Sequence, residues 1–169
     1  RLDGNIDILE STGIGTSVLM RGPPEGFGSF IYFKDTNLTL DAAHVELIGS
    51  APISFYGNIT FYNFVCTVPD KAIYFEAGKT YAFKGTARII GSPDIGEEEY
   101  YIKLRSQEPG KCWYLDIQTT DCILERVNIR DSYGKSAIVI PIGVDSGNNV
   151  NLEIDPIWDG GGSNTKWSN

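Results

Sequence analysis

Apolar and polar residues alternate with a period of two along most of the chain. No stretch of about 12 residues or more carries an apolar stripe with the 3.6-residue period of a helix. The alternating runs are short, as in Tyr81–Phe83 and Trp113–Ile117, and clusters of Gly, Pro, Asn and Asp such as 145–149 separate them. The pattern predicts an all-β fold of many short strands, which is typical of a sandwich, a barrel or a β-solenoid.

The spacing between neighbouring runs favours the solenoid. Two residues separate Ile59–Phe61 from Phe64–Cys66, and two separate Cys122–Leu124 from Val127–Ile129, and in both places the inward phase shifts. A strand that bends at a corner fits this spacing better than a hairpin, which favours Asn-Gly or Asp-Gly between its strands. The two segments also resemble each other weakly, so we expect stacked coils of about 20 to 30 residues. A β-sandwich is the alternative.

Composition and charge narrow the function classes. Hydrophobic residues make up 41% of the 169 residues, with nine Tyr, eight Phe and three Trp, which is enough for a packed core. The formal charge of -8 disfavours nucleic-acid partners and anionic lipid surfaces. No apolar stretch approaches the roughly 20 residues that cross a bilayer. The chain opens with Arg1 and lacks a signal-peptide pattern, so we expect any export signal to have been removed or to lie outside this piece.

The cysteines and the single histidine do not form a recognisable metal or catalytic pattern. Cys66, Cys112 and Cys122 lack the close spacing of zinc ligands, and His44 has no second histidine to join it. Cys112 and Cys122 lie on neighbouring strand-like runs, so they are a candidate disulfide in an oxidising compartment. The alternative is that all three are small buried apolar residues. We predict no cofactor and no metal.

One group of charged residues is a candidate carbohydrate site. Parallel β-helices host polysaccharide lyases and hydrolases that use clustered acids with arginine or calcium, and glycoside cleavage needs two acids at a defined separation. Charged side chains on an outer face are more often simply solvated, so this site belongs to the second of two functional hypotheses. Its residues are Asp116, Asp121, Glu125, Arg130 and Asp131.

Two sequons are candidate acceptors for N-linked glycan. They begin at Asn37 and at Asn58, each followed by a threonine two residues later. Their use depends on the host that makes the protein, because only a glycosylating host modifies them.

Three sequence elements carry a resemblance to a known family. They are F-E-A-G-K-T-Y with a following G-T at 75–86, L-R-S with a following P-G and W at 104–113, and D-S-G-N-N at 145–149. Through them the chain from about Gly57 onward resembles the repeat units of very large bacterial surface and secreted proteins, which are predicted to form right-handed parallel β-helices. The tail 157–169 is similar to the W-D-G-G-G start of a following unit.

The resemblance implies a right-handed parallel β-helix whose inward residues stack in ladders from coil to coil. Residues 1–56 would then be divergent N-terminal coils of the same solenoid, residues 57–154 a repeat unit, and residues 155–169 a linker or the start of the next unit. The expected function is a non-catalytic segment of an extracellular filament or a giant, adhesin-like cell-surface protein. The expected partners are copies of itself or neighbouring units, with glycans as further candidates. A carbohydrate-binding or polysaccharide-cleaving β-helix domain is the alternative.

Overall fold

The computed structural model of the chain describes residues 17–21, 29–31, 37–48, 50, 52–92 and 100–154. No α-helix occurs in these ranges, and the all-β prediction is confirmed for them. The strands found there are β1 (Ser17–Arg21), β2 (Ser29–Ile31), β3 (Asn37–Ile48), β4 (Ile53–Phe55), β5 (Asn58–Cys66), β6 (Ala72–Phe75), β7 (Thr80–Phe83), β8 (Ala87–Ile90), β9 (Ile102–Ser106), β10 (Trp113–Ile117), β11 (Cys122–Glu125), β12 (Val127–Ile129), β13 (Ser132–Ile140), β14 (Gly143–Asp145) and β15 (Val150–Ile154).

The strands form two sheets in which every pairing among the described residues is parallel. The larger sheet has nine strands in the order β1-β3-β5-β7-β10-β13-β15, with β8 paired to β5 and β11 paired to β8. The smaller sheet has six strands in the order β14-β12-β9-β6-β4-β2. Antiparallel hairpins, which the β-sandwich alternative requires, are absent from the described part of the chain.

The chain visits the two sheets in turn. From β2 onward, each strand of the smaller sheet is followed by one passage through the larger sheet. The strands pair with their counterparts in the next passage, except that β11 has no such partner among the described residues. We call one such passage through both sheets a coil. Because the pairing is parallel and in register, side chains at equivalent positions lie side by side, as in the inward column Ile53, Ile73, Leu104 and Ile129.

The predicted bend between Phe61 and Phe64 is present. β5 runs without interruption through the larger sheet, but its buried positions change phase at Tyr62 and Asn63. In the next coil the same corner divides β7 from β8 at Gly85, where an added Cβ would lie 2.5 Å from the carbonyl oxygen of Tyr62. The corner therefore requires a glycine.

The second predicted corner, between Leu124 and Val127, has a different structure. Arg126 adopts a φ of 52°, and the chain passes there from β11 in the larger sheet to β12 in the smaller one. Cys122 lies in register with Ala87, which in turn is in register with Phe64 rather than with Ile59. The weak likeness between the two segments therefore does not reflect equivalent positions in successive coils.

Aromatic side chains fill the core between the two sheets. Phe55 stacks on Phe75 with ring centroids 6.0 Å apart, and Phe75 stacks on Trp113 at 4.2 Å. Phe61 stacks on Phe83 at 5.3 Å. Such contacts are worth about 0.5 to 1.5 kcal/mol each beyond the area they bury. They join three successive coils across their interior.

Both sheets have strands on either side of the predicted boundary at position 56. β3 and β4, from the 1–56 segment, pair in register with β5 and β6, so both sheets continue across position 56. The predicted linker or following unit at 155–169 lies outside the described residues.

Candidate functional site

Two of the predicted carbohydrate-site acids, Asp116 on β10 and Asp121 just before β11, have different partners. Asp116 accepts a hydrogen bond from the side-chain amide of Gln118 at 2.8 Å. Asp121 accepts one from the Thr86 hydroxyl at 2.8 Å and forms an ion pair with Arg88 at 3.0 Å. Both acids therefore take part in contacts that stabilise the solvent face of the larger sheet.

The remaining three residues of that group lie at changes of sheet. Glu125 forms an ion pair with its neighbour Arg126. Arg130 approaches Asp131 with Nε 3.3 Å from Oδ2, which makes these two the members of the predicted group that contact each other. Each of these contacts joins an acid to an arginine. Glycoside cleavage instead requires two acids on either side of the bond to be cleaved.

Asp131 is a structural residue at the corner between β12 and β13. It is 3% exposed, adopts a φ of 57°, and its carbonyl oxygen accepts the backbone N–H of Trp113 at 3.0 Å. Its carboxylate Oδ1 accepts a hydrogen bond from the Asn148 amide at 2.8 Å. Since Asn148 belongs to the following coil, Asp131 links three consecutive coils.

A network of side chains, which we call the polar corner, joins the coils beside Asp131. Its members are Arg105, Asn128, Ser132, Asp145, Ser146 and Asn149. The Arg105 guanidinium donates to the Asn128 side-chain oxygen at 2.6 Å and to its carbonyl oxygen at 2.5 Å. The Ser146 hydroxyl donates to the same side-chain oxygen at 2.6 Å. Burial lowers the pKa of Arg105, with a smaller contribution from the positive charge of Arg130.

Asn149 is the most connected residue of the polar corner. Its side-chain oxygen accepts from the backbone N–H of Ser132 at 3.1 Å and from the Ser132 hydroxyl at 2.7 Å. Its amide donates to the Ile129 carbonyl at 3.0 Å and to the Asp145 carboxylate at 2.6 Å. One side chain thus satisfies backbone groups of two strands in the preceding coil, which is a scaffolding arrangement.

Sequence reasoning missed most of the polar corner. The D-S-G-N-N element at 145–149 predicted a turn, but its contacts are with residues such as Asn128 and Ser132, far away in the sequence. The repeated placement of Asn just before or within short strands was the available signal. Its meaning depends on the register between coils, which the sequence does not supply.

Two tyrosines on the larger sheet form an aromatic pair, of which Tyr114 is half-buried. Tyr114 of β10 and Tyr133 of β13 are in register, and their rings meet edge to face with centroids 5.6 Å apart. Tyr133 is exposed, and Asp116 lies on the same strand face as Tyr114. By contrast, Trp113 and Tyr101 are buried, so neither forms part of an exposed platform.

The two sequon asparagines occupy equivalent positions in successive coils. Asn37 and Asn58 are in register as the first residues of β3 and β5. The Asn58 side-chain oxygen accepts the backbone N–H of Thr80 in the next coil at 2.8 Å. The side chain of Asn37 lies outside the described part of the structure.

All three cysteines are free thiols in this structure. Cys112 precedes β10 and contacts the Asn148 carbonyl with its sulfur at 3.6 Å, whereas Cys122 lies beyond the next corner on β11. The candidate disulfide between them is not formed, because the two residues sit at different positions of the coil. Burial raises the pKa of Cys66 and of Cys122 to about 11, so both thiols are protonated at neutral pH.

The described residues contain neither a metal-binding cluster nor a membrane-spanning helix. No group of three or more His, Cys, Asp or Glu side chains is arranged to hold a metal ion in this part of the chain. Among the same residues, none forms a helix with the length and apolar character needed to cross a membrane.

No protein-family model, curated protein or solved structure matches the chain.

Proposed function

We propose that the chain is a non-catalytic segment of a right-handed parallel β-helix in an extracellular filament or a giant, adhesin-like cell-surface protein. The observation that carries the proposal is that all described strand pairings are parallel, from β1 and β2 at one end of the two sheets to β15 and β14 at the other. The right-handed sense follows the general preference of parallel strand connections within one sheet. This is also the fold that the family resemblance implies.

Open sheet edges at both ends support assembly with further copies or neighbouring units. Among the described strands, β1 and β15 end the larger sheet, and β2 and β14 end the smaller one. All strands of a sheet point the same way, so the last edge of one copy matches the first edge of another in direction. Such head-to-tail contacts are heterologous and generate open fibres.

The interior surface at β15 supports the same proposal. Leu152 and Ile154 are half-buried and pack against the core on one side, so their other side is available to a following coil. A single coil of this architecture does not bury its own apolar face, and stacking is what completes the core.

Electron microscopy and sedimentation of the full chain at increasing concentration test the assembly. We expect fibres or concentration-dependent oligomers, and particles that stay monomeric at every concentration would contradict the proposal. Leu152→Lys places a charge at the apolar end of the core and is expected to abolish assembly. Glu153→Lys, on the opposite face of the same strand, is the matched control and is expected to leave assembly intact. Circular dichroism of both variants separates lost assembly from lost folding.

Carbohydrate binding is the second candidate function, and the partly exposed Tyr114–Tyr133 pair favours it. Aromatic rings beside a hydrogen-bonding acid such as Asp116 offer a stacking surface and polar contacts to a sugar. A glycan array tests this role with the wild-type chain, Tyr133→Ala and Asp116→Asn. Binding that both substitutions weaken supports it, and an array without signal for the wild-type chain argues against it.

A further inference from the structure

A split interrupts the larger sheet between two successive coils. β10 and β13 pair at Trp113, Tyr114 and Leu115, and the pairing stops at Leu115 and Gly134. The two coils meet again where the backbone N–H of Arg126 donates to the Ile142 carbonyl at 2.7 Å. Between these points, β11 pairs only with β8, and the second half of β13 pairs only with β15, within the described residues.

The split arises because the two coils take paths of different length. The chain runs from Leu115 to Arg126 in one coil and makes the equivalent journey from Gly134 to Ile142 in the next, with fewer residues. The register of β13 with β15 also shifts between Tyr133 and Ile138. The coil that contains β13 is therefore too short to run alongside the corner that residues 118–121 form between β10 and β11.

The open edge of β11 presents unpaired backbone groups toward this split. The carbonyls of Asp121 and Glu125 accept hydrogen bonds from β8 and the segment after it, at 2.9 and 3.0 Å. Backbone groups of a parallel strand point to opposite neighbours at alternate residues. The N–H and C=O groups of Cys122 and Leu124 therefore point away from β8 and into the split.

The split opens into a cleft of about 300 Å³ whose lining is uncharged. Leu124 and Ile138 are nearly fully buried in it, at 4% and 8% exposure, while the Thr119, Thr120 and Ser136 hydroxyls contribute polar groups. Cys122 continues the inward column of Phe64 and Ala87, it is half-buried, and no strand of the next coil pairs beside it among the described residues. The cleft thus combines a short open strand edge with an apolar floor.

We propose that this cleft binds an extended, uncharged peptide segment as an inserted β-strand between β11 and the second half of β13. The backbone groups of Cys122 and Leu124 match those of a strand, and a small or β-branched apolar side chain would cover the half-buried side chain of Cys122. An extended backbone has N–H and C=O groups free to pair with the edge of β11, whereas a helix uses its own groups internally, so this edge favours an extended occupant. The site is independent of end-to-end stacking.

A peptide titration of the full, ¹⁵N-labelled chain tests the proposal. The probe is acetyl-Thr-Val-Thr-Val-Thr-amide, and its control is the same peptide N-methylated at two consecutive residues, which removes a donor from each edge. We expect chemical-shift changes confined to 117–124 and 136–139, with exchange of the Cys122 and Leu124 amides slowed about tenfold at saturation. The N-methylated control is expected to cause neither the chemical-shift changes nor the slower amide exchange.

Three outcomes would overturn the proposal. The first is the absence of any shift with the unmodified peptide. The second is an equal response to the N-methylated peptide, because the cleft would then bind apolar side chains without pairing a strand. The third is slow exchange of the Cys122 and Leu124 amides in the free chain, equal to that of Ile123, because the split would then be closed in solution.

A pair of variants on β11 supplies the matched control. Cys122→Phe fills the floor of the cleft and is expected to weaken peptide binding about tenfold or more, whereas Ile123→Phe faces the other side of the strand and is expected to retain it. If Cys122→Phe does not fold, alkylation of Cys122 in a Cys112→Ser background gives a second readout. Bound peptide is expected to slow that alkylation, and an unchanged rate would contradict the proposal.

Discussion

The middle coils and the C-terminal coils are built on the same parallel pairing but are held together differently. Between β4 and β10, the interior is filled by stacked aromatic rings such as Phe55, Phe75 and Trp113. From β12 to β15, the interior is aliphatic, and the coils are joined at the polar corner around Asn128 and Asn149.

The difference shows that an in-register parallel fold has two independent ways to fix the stacking of its coils. Aromatic stacking acts through buried area and ring geometry, so it requires complete side chains in the interior. A side-chain amide acts through directional hydrogen bonds to backbone groups at a corner, where the chain leaves one sheet and those groups would otherwise lack partners. The two regions should therefore respond to different substitutions and different conditions.

The largest expected effect is loss of an aromatic ring from the middle coils. Phe75 is 1% exposed and contacts Phe55, Tyr81 and Trp113. We expect Phe75→Ala to lower the free energy of unfolding by about 4 kcal/mol, through lost burial and a residual cavity. Urea denaturation measures this, with Tyr62→Ala at an exposed position as a control expected to stay within about 0.5 kcal/mol. A loss of about 1 kcal/mol or less would mean that the aromatic stack does not hold these coils together.

The next largest effect is expected at the polar corner. Asn149→Ala removes four hydrogen bonds and leaves the Ser132 N–H and the Ile129 carbonyl without this partner, so we expect a loss of about 2 kcal/mol in urea denaturation. Asn148→Ala removes the single side-chain bond to Asp131 and is expected to cost less. Equal losses for the two variants would show that the polar corner does not depend on Asn149.

A pH effect of similar or smaller size is expected from Cys66, in the buried core of the middle coils. Burial raises the pKa of its thiol from 9.0 to about 11, so the unfolded state loses its proton first. The stabilising difference is complete below pH 9 and is lost as the pH rises toward 11, with a contribution of about 2 to 3 kcal/mol. Burial also raises the pKa of Tyr81, which acts in the same direction at still higher pH.

Unfolding of the wild-type chain and of Cys66→Val between pH 8 and about pH 11 measures this contribution. The variant lacks the thiol and should lose less stability over the interval. Curves that stay parallel across that range would contradict the assignment to Cys66.

The smallest effect is expected on the solvent face between the two regions. Arg88 and Asp121 form an ion pair between β8 and the corner before β11, with both side chains well exposed. We expect Arg88→Ala to cost about 0.5 kcal/mol and the difference from wild type to shrink at high salt. A salt-independent loss would assign the effect to packing rather than to charge.

The sequence predicted more of the fold than of the candidate site. Alternation identified inward residues such as Ile59, Phe61 and Phe64, and the phase shift after Phe61 identified a real bend. The same reasoning equated Ile59 with Cys122, whereas the structure places Cys122 in the column of Phe64. Alternation assigns a residue to a face of its strand but does not specify the strand that lies beside it.

The candidate carbohydrate residues show the same limit. Asp116, Asp121, Glu125, Arg130 and Asp131 are close in sequence, but the corners between β10, β11, β12 and β13 distribute them among different contacts. The partly exposed Tyr114–Tyr133 pair was missed because these residues meet only when β10 and β13 are placed side by side. Because the chain changes direction so often, residues that are close in sequence do not necessarily share one site.

By itself, the sequence determined that this chain is made of short strands with an apolar interior, because a period-two pattern has one favourable way to bury its apolar face. Only the tertiary structure decided which strands are neighbours, since parallel partners such as Ile73 and Leu104 are separated by a whole coil whose corners vary in length. The stacking of coils assembles the polar corner, and the unequal corner lengths create the split beside β11. Their chemistry resides in residues that the sequence contains but does not bring together.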